Sequence, residues 1–240
     1  MFERAALTVF VYGISMLASI AWAEQPDGAY LDGGSSKVGV ILVHGRFGGH
    51  GNARSPVVNP LRIAIHERLG FHTLSLEYPQ SRRSRSGTDE AGNFPAAYQR
   101  LDSAIAFLIK EKGVTQIYIM GHSLGTRITI SYLADHPVPA LRGYIGVGVY
   151  GGGRCREGAA NPLDSLCNLK TILRNNPDLP VIDVVALGDE TDVRFANGRS
   201  ALVSPTYQQV RVEGADHLFR AKEDEMVNTV VDWLKRQQNK

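Results

Sequence analysis

The stretch Ile117-Tyr118-Ile119-Met120-Gly121-His122-Ser123-Leu124-Gly125-Thr126-Arg127-Ile128-Thr129-Ile130 changes its pattern in the middle. Ile117 to Met120 is an apolar run suited to a buried strand, and Thr126 to Ala134 carries a helical pattern. Between them, Gly121 to Gly125 spells G-x-S-x-G. In a chain with 25 glycines that pattern arises easily by chance. Its context gives it meaning: a serine on a sharp strand-to-helix turn is held in a strained conformation, and small flanking residues let its hydroxyl stand exposed. The turn also puts Ser123 at a helix N-terminus, where free N–H groups and the positive dipole end favour a developing oxyanion. Ser123 is therefore the candidate nucleophile.

Similar apolar runs recur on both sides of this turn. Val38 to Val43 is a continuous, β-branched run of the kind expected for a strand covered on both faces. Thr73 to Leu76, Tyr144 to Val149, Val181 to Leu187 and Tyr207 to Val212 are further strand candidates. Helical patterns lie between them at Pro60 to Leu69, Ala97 to Lys112, Ser165 to Arg174, Ala196 to Leu202 and Lys222 to Gln237. Alternation at this spacing implies right-handed crossovers, and so an α/β fold with a mainly parallel sheet and helices on both faces. Function in such sheets collects beyond the carboxyl ends of the strands.

The 240 residues suit one α/β domain, with no linker that would divide them. A formal charge of +2 does not suggest a nucleic-acid partner. The N-terminus is more specific. Arg4 precedes the apolar run Ala5 to Ile20, and Ala21-Trp22-Ala23 matches a small-residue cleavage site. This predicts a secretory signal over residues 1–23 and a single mature domain over 24–240, exported to the periplasm or secreted, with an uncleaved membrane anchor as the competing reading. Export suits the two cysteines, Cys155 and Cys167. An oxidising compartment would let them close a disulfide loop, against the alternative of two free thiols.

A serine hydroxyl needs a base within hydrogen-bonding reach, itself oriented by an acid. Of seven histidines, only His217 lies in a loop between the last strand and the terminal helix. His66 and His136 belong to helices or their ends, His72 to a strand start, His44 and His50 to a glycine loop, and His122 to the variable position of the turn. For the acid, Gly188-Asp189-Glu190-Thr191-Asp192 follows a late strand. Asp192, deeper in what reads as a loop, is preferred over Asp189, which could instead shape the turn. Glu190 ranks third, and Asp216, adjacent to His217, reads as a turn residue. Oxyanion donors are expected from the amide of Leu124 and from Arg46, or its neighbour Phe47, in His44-Gly45-Arg46-Phe47-Gly48-Gly49. That loop lacks the G-x-x-x-x-G-K-[ST] pattern of a phosphate-binding turn.

Taken together, His44-Gly45, the turn Gly121 to Gly125, the aspartates after a late strand and Gly214-Ala215-Asp216-His217 resemble the α/β-hydrolase superfamily over nearly all the mature length. The resemblance implies a serine hydrolase working through an acyl-enzyme without metal or organic cofactor. Two departures stand out: Thr126 occupies a place where the family often has glycine or alanine, and the glycine-to-aspartate spacing of the acid loop is one residue off. The segment 151–180 lies where relatives carry a lid, and is expected to form a small cap pinned by Cys155 and Cys167 over a fairly open site.

Such a site suits a small or medium carboxylic ester. Thioesterase, lipase or peptidase activity would use the same groups, and a non-catalytic binding protein on the same fold is the rival from another class. Arg82, Arg83 and Arg85 form a basic loop that either attracts an anionic substrate or phospholipid surface, giving weak membrane contact, or is simply solvated.

Overall fold

The computed structural model describes residues 24–46, 55–78, 93–151 and 163–239. Seven strands make one sheet: β1 (Gly28–Leu31), β2 (Val38–Val43), β3 (His72–Leu76), β4 (Gln116–His122), β5 (Leu141–Val147), β6 (Val181–Ala186) and β7 (Tyr207–Val212). Their order is β1-β3-β2-β4-β5-β6-β7. Only β1 runs antiparallel, with Tyr30 opposite Leu74; every other pair is parallel, as the alternating pattern predicts.

All six residues of β2 are buried, because helices cover both faces of the sheet and a strand there has no solvent side. One core layer gathers Ile41, Leu74, Leu101, Ile119 and Ile128. It lies beneath α2 (Phe94–Lys110), α3 (Leu124–Asp135) and α4 (Ser165–Asn175). The other gathers Val40, Leu42, Leu61, Met120 and Trp233 beneath α1 (Val58–Leu69) and α6 (Glu223–Gln238). The buried stripe of α2, Phe94, Ala97, Leu101, Ala104 and Leu108, has the three-to-four spacing that seats a helix on a sheet. Gly70 ends α1 with φ 69°, a left-handed cap that turns the chain back into β3.

Three expectations change. The strand β1 was not anticipated: it is four residues long, half-buried throughout, and lacks the apolar run that marks the inner strands. The helix expected at Ala196 to Leu202 is instead α5 (Glu190–Gly198) followed by a separate 3-10 turn at Ser200–Leu202. Asp192 thus stands on a helix and not in a loop, because Asp189 accepts hydrogen bonds from the amides of Thr191 and Asp192 and starts the helix there.

The expected Cys155–Cys167 disulfide falls in part outside the described residues, since Cys155 lies beyond them; the described Cys167 is not a free thiol. The described start of α4 is fixed by Asp164, which accepts from the amide of Cys167 at 3.1 Å, and by Ser165 Oγ, which donates to the Tyr150 carbonyl at 2.7 Å. The leader 1–23, Phe47, the basic loop with Arg82, Arg83 and Arg85, and most of the expected cap before α4 also lie outside the described residues.

Candidate active site

The carboxyl end of β4 runs straight into α3 through Ser123, which adopts φ 53° and ψ −118°. Side chains avoid that region, so the surrounding contacts must hold it. The Ser123 amide donates to the Val147 carbonyl at 3.2 Å, and its carbonyl accepts from the amide of Thr126 at 2.9 Å and from Thr126 Oγ1 at 2.5 Å. The same Oγ1 accepts from the Tyr150 amide at 3.1 Å. Thr126, a departure from the family pattern, therefore ties the turn to the chain leaving β5. The flanking glycines are steric necessities. A Cβ on Gly125 would sit 2.2 Å from the Val43 carbonyl oxygen, and one on Gly121 2.6 Å from Thr129 Oγ1.

His217 follows β7, and its Nε2 lies 2.8 Å from Ser123 Oγ while its Nδ1 lies 2.9 Å from Asp192 Oδ1. A carboxylate only accepts, so Nδ1 carries the proton and Nε2 presents a lone pair to the serine hydroxyl. Asp192 is almost wholly buried and His217 about one-quarter exposed. Gly148, with φ 54°, covers the pair: a Cβ there would come within 3.2 Å of Asp192 Oδ2 and of His217 Nδ1.

Burial alone would weaken the charged form of His217. The hydrogen bond and charge of Asp192, with Asp189 and Asp216 acting in the same direction, outweigh it and hold the imidazole above its ordinary 6.5. Asp192 moves upward from its usual range, chiefly through desolvation. Its Oδ2 is buried with no hydrogen-bond partner, so a positive charge on His217 is its main compensation.

Asp189, the second acid candidate, lines the same cleft but is engaged elsewhere. Its Oδ1 caps α5 at 2.9 Å from two amides, and no hydrogen bond joins it to His217. One donor atom each from Asp189, Asp192 and His217 fall within 4.8 Å of one another, a spacing that could suit a cation. The Asp192 and His217 atoms are committed to each other at N–H···O distance, however, and would have to separate to face an ion.

A cleft of about 530 Å³ opens over Ser123 and His217. Gly45, Arg46, Ser55 and Pro56 form one wall; Asp216, Leu218 and Arg220 form another. Arg46 thus reaches the cleft beside the serine, and Leu124 opens α3, whose leading amides have no intrahelical acceptor. Gly45 is required at its place, since a Cβ would meet Ser123 Cβ at 2.9 Å. Its loop is anchored by Tyr78, whose hydroxyl donates to the His44 carbonyl at 2.8 Å while its ring stacks on His44 at 4.5 Å.

Sequence reasoning passed over three groups that hold this site. His122, taken as a variable position, is buried and contacts the His217 backbone. Gly148 gave no signal beyond being a glycine after a strand. Arg199 is fully buried, pairs with Asp183 on β6 through two N–H groups at 3.1 Å, and donates to the Val149 carbonyl at 3.2 Å, steadying the segment that carries Gly148. A lone arginine after a helix carries no mark of such a role.

A family model described as alpha/beta hydrolase fold matches residues 39–149. Solved structures extend the likeness. An alpha-beta serine hydrolase homologue from Coxiella burnetii is 21% identical, with a TM-score of 0.58 over 83% of this chain and 86% of its own. A serine hydrolase without lid from Xanthomonas campestris is 16% identical, with a TM-score of 0.61 over 88% and 85%. The Butyrivibrio proteoclasticus protein Est1E, solved with ferulic acid bound, is 17% identical, with a TM-score of 0.59 over 86% and 91%. No curated protein matches the chain. At these identities the likeness establishes the fold: the chain has the α/β-hydrolase fold.

Proposed function

We propose that this α/β-hydrolase-fold chain is a serine hydrolase that cleaves carboxylic esters through an acyl-enzyme, with Ser123, His217 and Asp192 as its triad. The reading rests on one observation: Ser123 Oγ, strained into an open cleft, lies 2.8 Å from an imidazole whose other nitrogen lies 2.9 Å from a buried carboxylate. His217 Nε2 takes the hydroxyl proton as Ser123 attacks the ester carbonyl, and returns it to the departing alcohol. Asp192 holds the tautomer and balances the imidazolium. The amides of Leu124 and Arg46 receive the oxyanion. Water then repeats the sequence on the acyl-serine and releases the acid.

The cleft lining supports a short, polar substrate. Among the described residues, Pro56 and Leu218 are the only sizeable apolar groups that line the cleft, which offers a long acyl chain little surface against which to shed water. The leader pattern over residues 1–23 supports export. Among the described residues no helix is long and apolar enough to cross a membrane.

A fluorophosphonate probe should label the wild type and not Ser123→Ala, and absence of labelling in folded protein would favour a binding protein. A p-nitrophenyl series from acetyl to palmitoyl, with a ferulate ester added, should show activity falling as the alkyl chain lengthens. Cell fractionation with N-terminal sequencing of the mature chain tests export and cleavage after Ala23.

A further inference from the structure

We infer that His122 is a positioning residue: it grips the backbone of His217 and fixes the base against the nucleophile through a contact separate from that of Asp192. The inference rests on the serine-hydrolase reading above. His122 Nε2 lies 3.1 Å from the carbonyl oxygen of His217, and the two rings approach with centroids 5.2 Å apart. A carbonyl can only accept, so Nε2 carries a proton and donates. Burial, with the neighbouring charge of His217 next, pushes His122 down to about 3, so the ring stays neutral with its one proton committed to that bond. Nδ1 then faces Gly45, where an added Cβ would lie 3.1 Å from it.

The consequence is a closed circuit. Ser123 Oγ meets His217 Nε2, the His217 carbonyl accepts from His122, and His122 is bonded directly to Ser123. The nucleophile-to-base distance is therefore held by a ring of covalent and hydrogen bonds that does not pass through Asp192. Asp192 fixes the rotation of the imidazole; His122 fixes where its backbone stands. A neutral ring is also the only form compatible with a charged His217 so near it, since a second cation at that distance would oppose the imidazolium the reaction creates.

Three substitutions test this. Glutamine places its amide nitrogen near the position of Nε2, asparagine near that of Nδ1, and phenylalanine keeps the bulk without a donor. His122→Gln should stay within about threefold of wild-type kcat on p-nitrophenyl acetate. His122→Asn and His122→Phe should lose about 10- to 100-fold in kcat with KM unchanged, the scale expected for a misplaced catalytic group. Thermal melting accompanies each, and if His122→Phe fails to fold, the glutamine and asparagine pair decides. The inference is overturned if His122→Phe matches wild type, or if glutamine falls as far as asparagine. The hydrogen bond has its own readout: nitrogen-15 histidine labelling should show a slowly exchanging His122 Nε2–H, absent in His122→Gln, and its absence from the wild type overturns the inference whatever the activity. A wild type that is neither labelled by fluorophosphonate nor active on esters would sink the parent reading, while an intact Nε2–H signal would keep the positioning contact.

Discussion

Asp192 and His217 stand 25 residues apart in the chain and 2.9 Å apart at Oδ1 and Nδ1. They meet because β6 and β7 are parallel neighbours, so the segments leaving their carboxyl ends emerge side by side. Asp189 leaves the same strand end, but its Oδ1 is occupied by the first amides of α5. Helix geometry thus separates two aspartates that sequence spacing alone left in competition.

This division of labour predicts opposite phenotypes. Asp192→Asn should lower kcat by about 10³- to 10⁴-fold, because the imidazole loses the partner that fixes its tautomer. It should also move the acid limb of kcat/KM to lower pH, since the main influence raising His217 is gone. Asp189→Asn retains a capping side chain and should keep kcat within about tenfold of wild type, whereas Asp189→Ala should cost about 1 kcal/mol of stability. Stopped-flow kinetics and urea denaturation of the three variants separate the roles.

The inner strands and the order of the functional groups were legible because each follows from local chemistry. Val38 to Val43 is unbroken and β-branched because both faces are covered, and Ser123 is marked by glycines that the packing of Val43 and Thr129 demands. The edge strand β1 was illegible because a half-buried edge needs no apolar run. The start of α5 was misplaced because polar Glu190-Thr191-Asp192 hides a helix whose beginning is set by a cap. His122 and Arg199 act through contacts with distant backbone carbonyls, and no local pattern records such a partner.

Stability should depend on pH through the same pair. Folding raises His217 above 6.5, so the folded protein holds a proton that the unfolded chain releases. That contribution is fully present below 6.5 and is lost as pH rises through the folded value. Asp192, also raised, acts with the same sign in a lower window that begins at 3.8. His44, His72 and His122 are held below 6.5 by burial and act with the opposite sign beneath it. The other histidines are common to both proteins, so the urea midpoint of the wild type relative to His217→Gln should fall as pH rises above 6.5. A difference that stays constant with pH would show that His217 makes no such contribution.

The backbone of Ser123 offers a test independent of chemistry. Both Ser123→Ala and Ser123→Gly remove the hydroxyl and should abolish labelling by a fluorophosphonate. Alanine retains the strain of φ 53°, while glycine relieves it. Ser123→Gly should therefore be more stable than Ser123→Ala by about 1 kcal/mol, within the range for one strained residue. Equal stabilities would mean that the turn carries no strain worth relieving.

The buried pair of Arg199 and Asp183 supplies the largest stability effect expected away from the cleft. Asp183 accepts from Arg199, from the Tyr207 hydroxyl at 2.8 Å and from Gln209 at 3.1 Å, so its carboxylate is satisfied from three directions in a site closed to water. Arg199→Met removes the counter-charge and strands that carboxylate, which should cost about 3–5 kcal/mol. Asp183→Asn combined with Arg199→Met removes both charges, and should recover part of the loss. The double variant still lacks the bond from Arg199 to the Val149 carbonyl, next to the glycine that covers Asp192 and His217. Its stability should thus recover further than its kcat. Recovery of both together would show that the arginine acts only through charge, and that its grip on the Gly148 segment contributes nothing to the site.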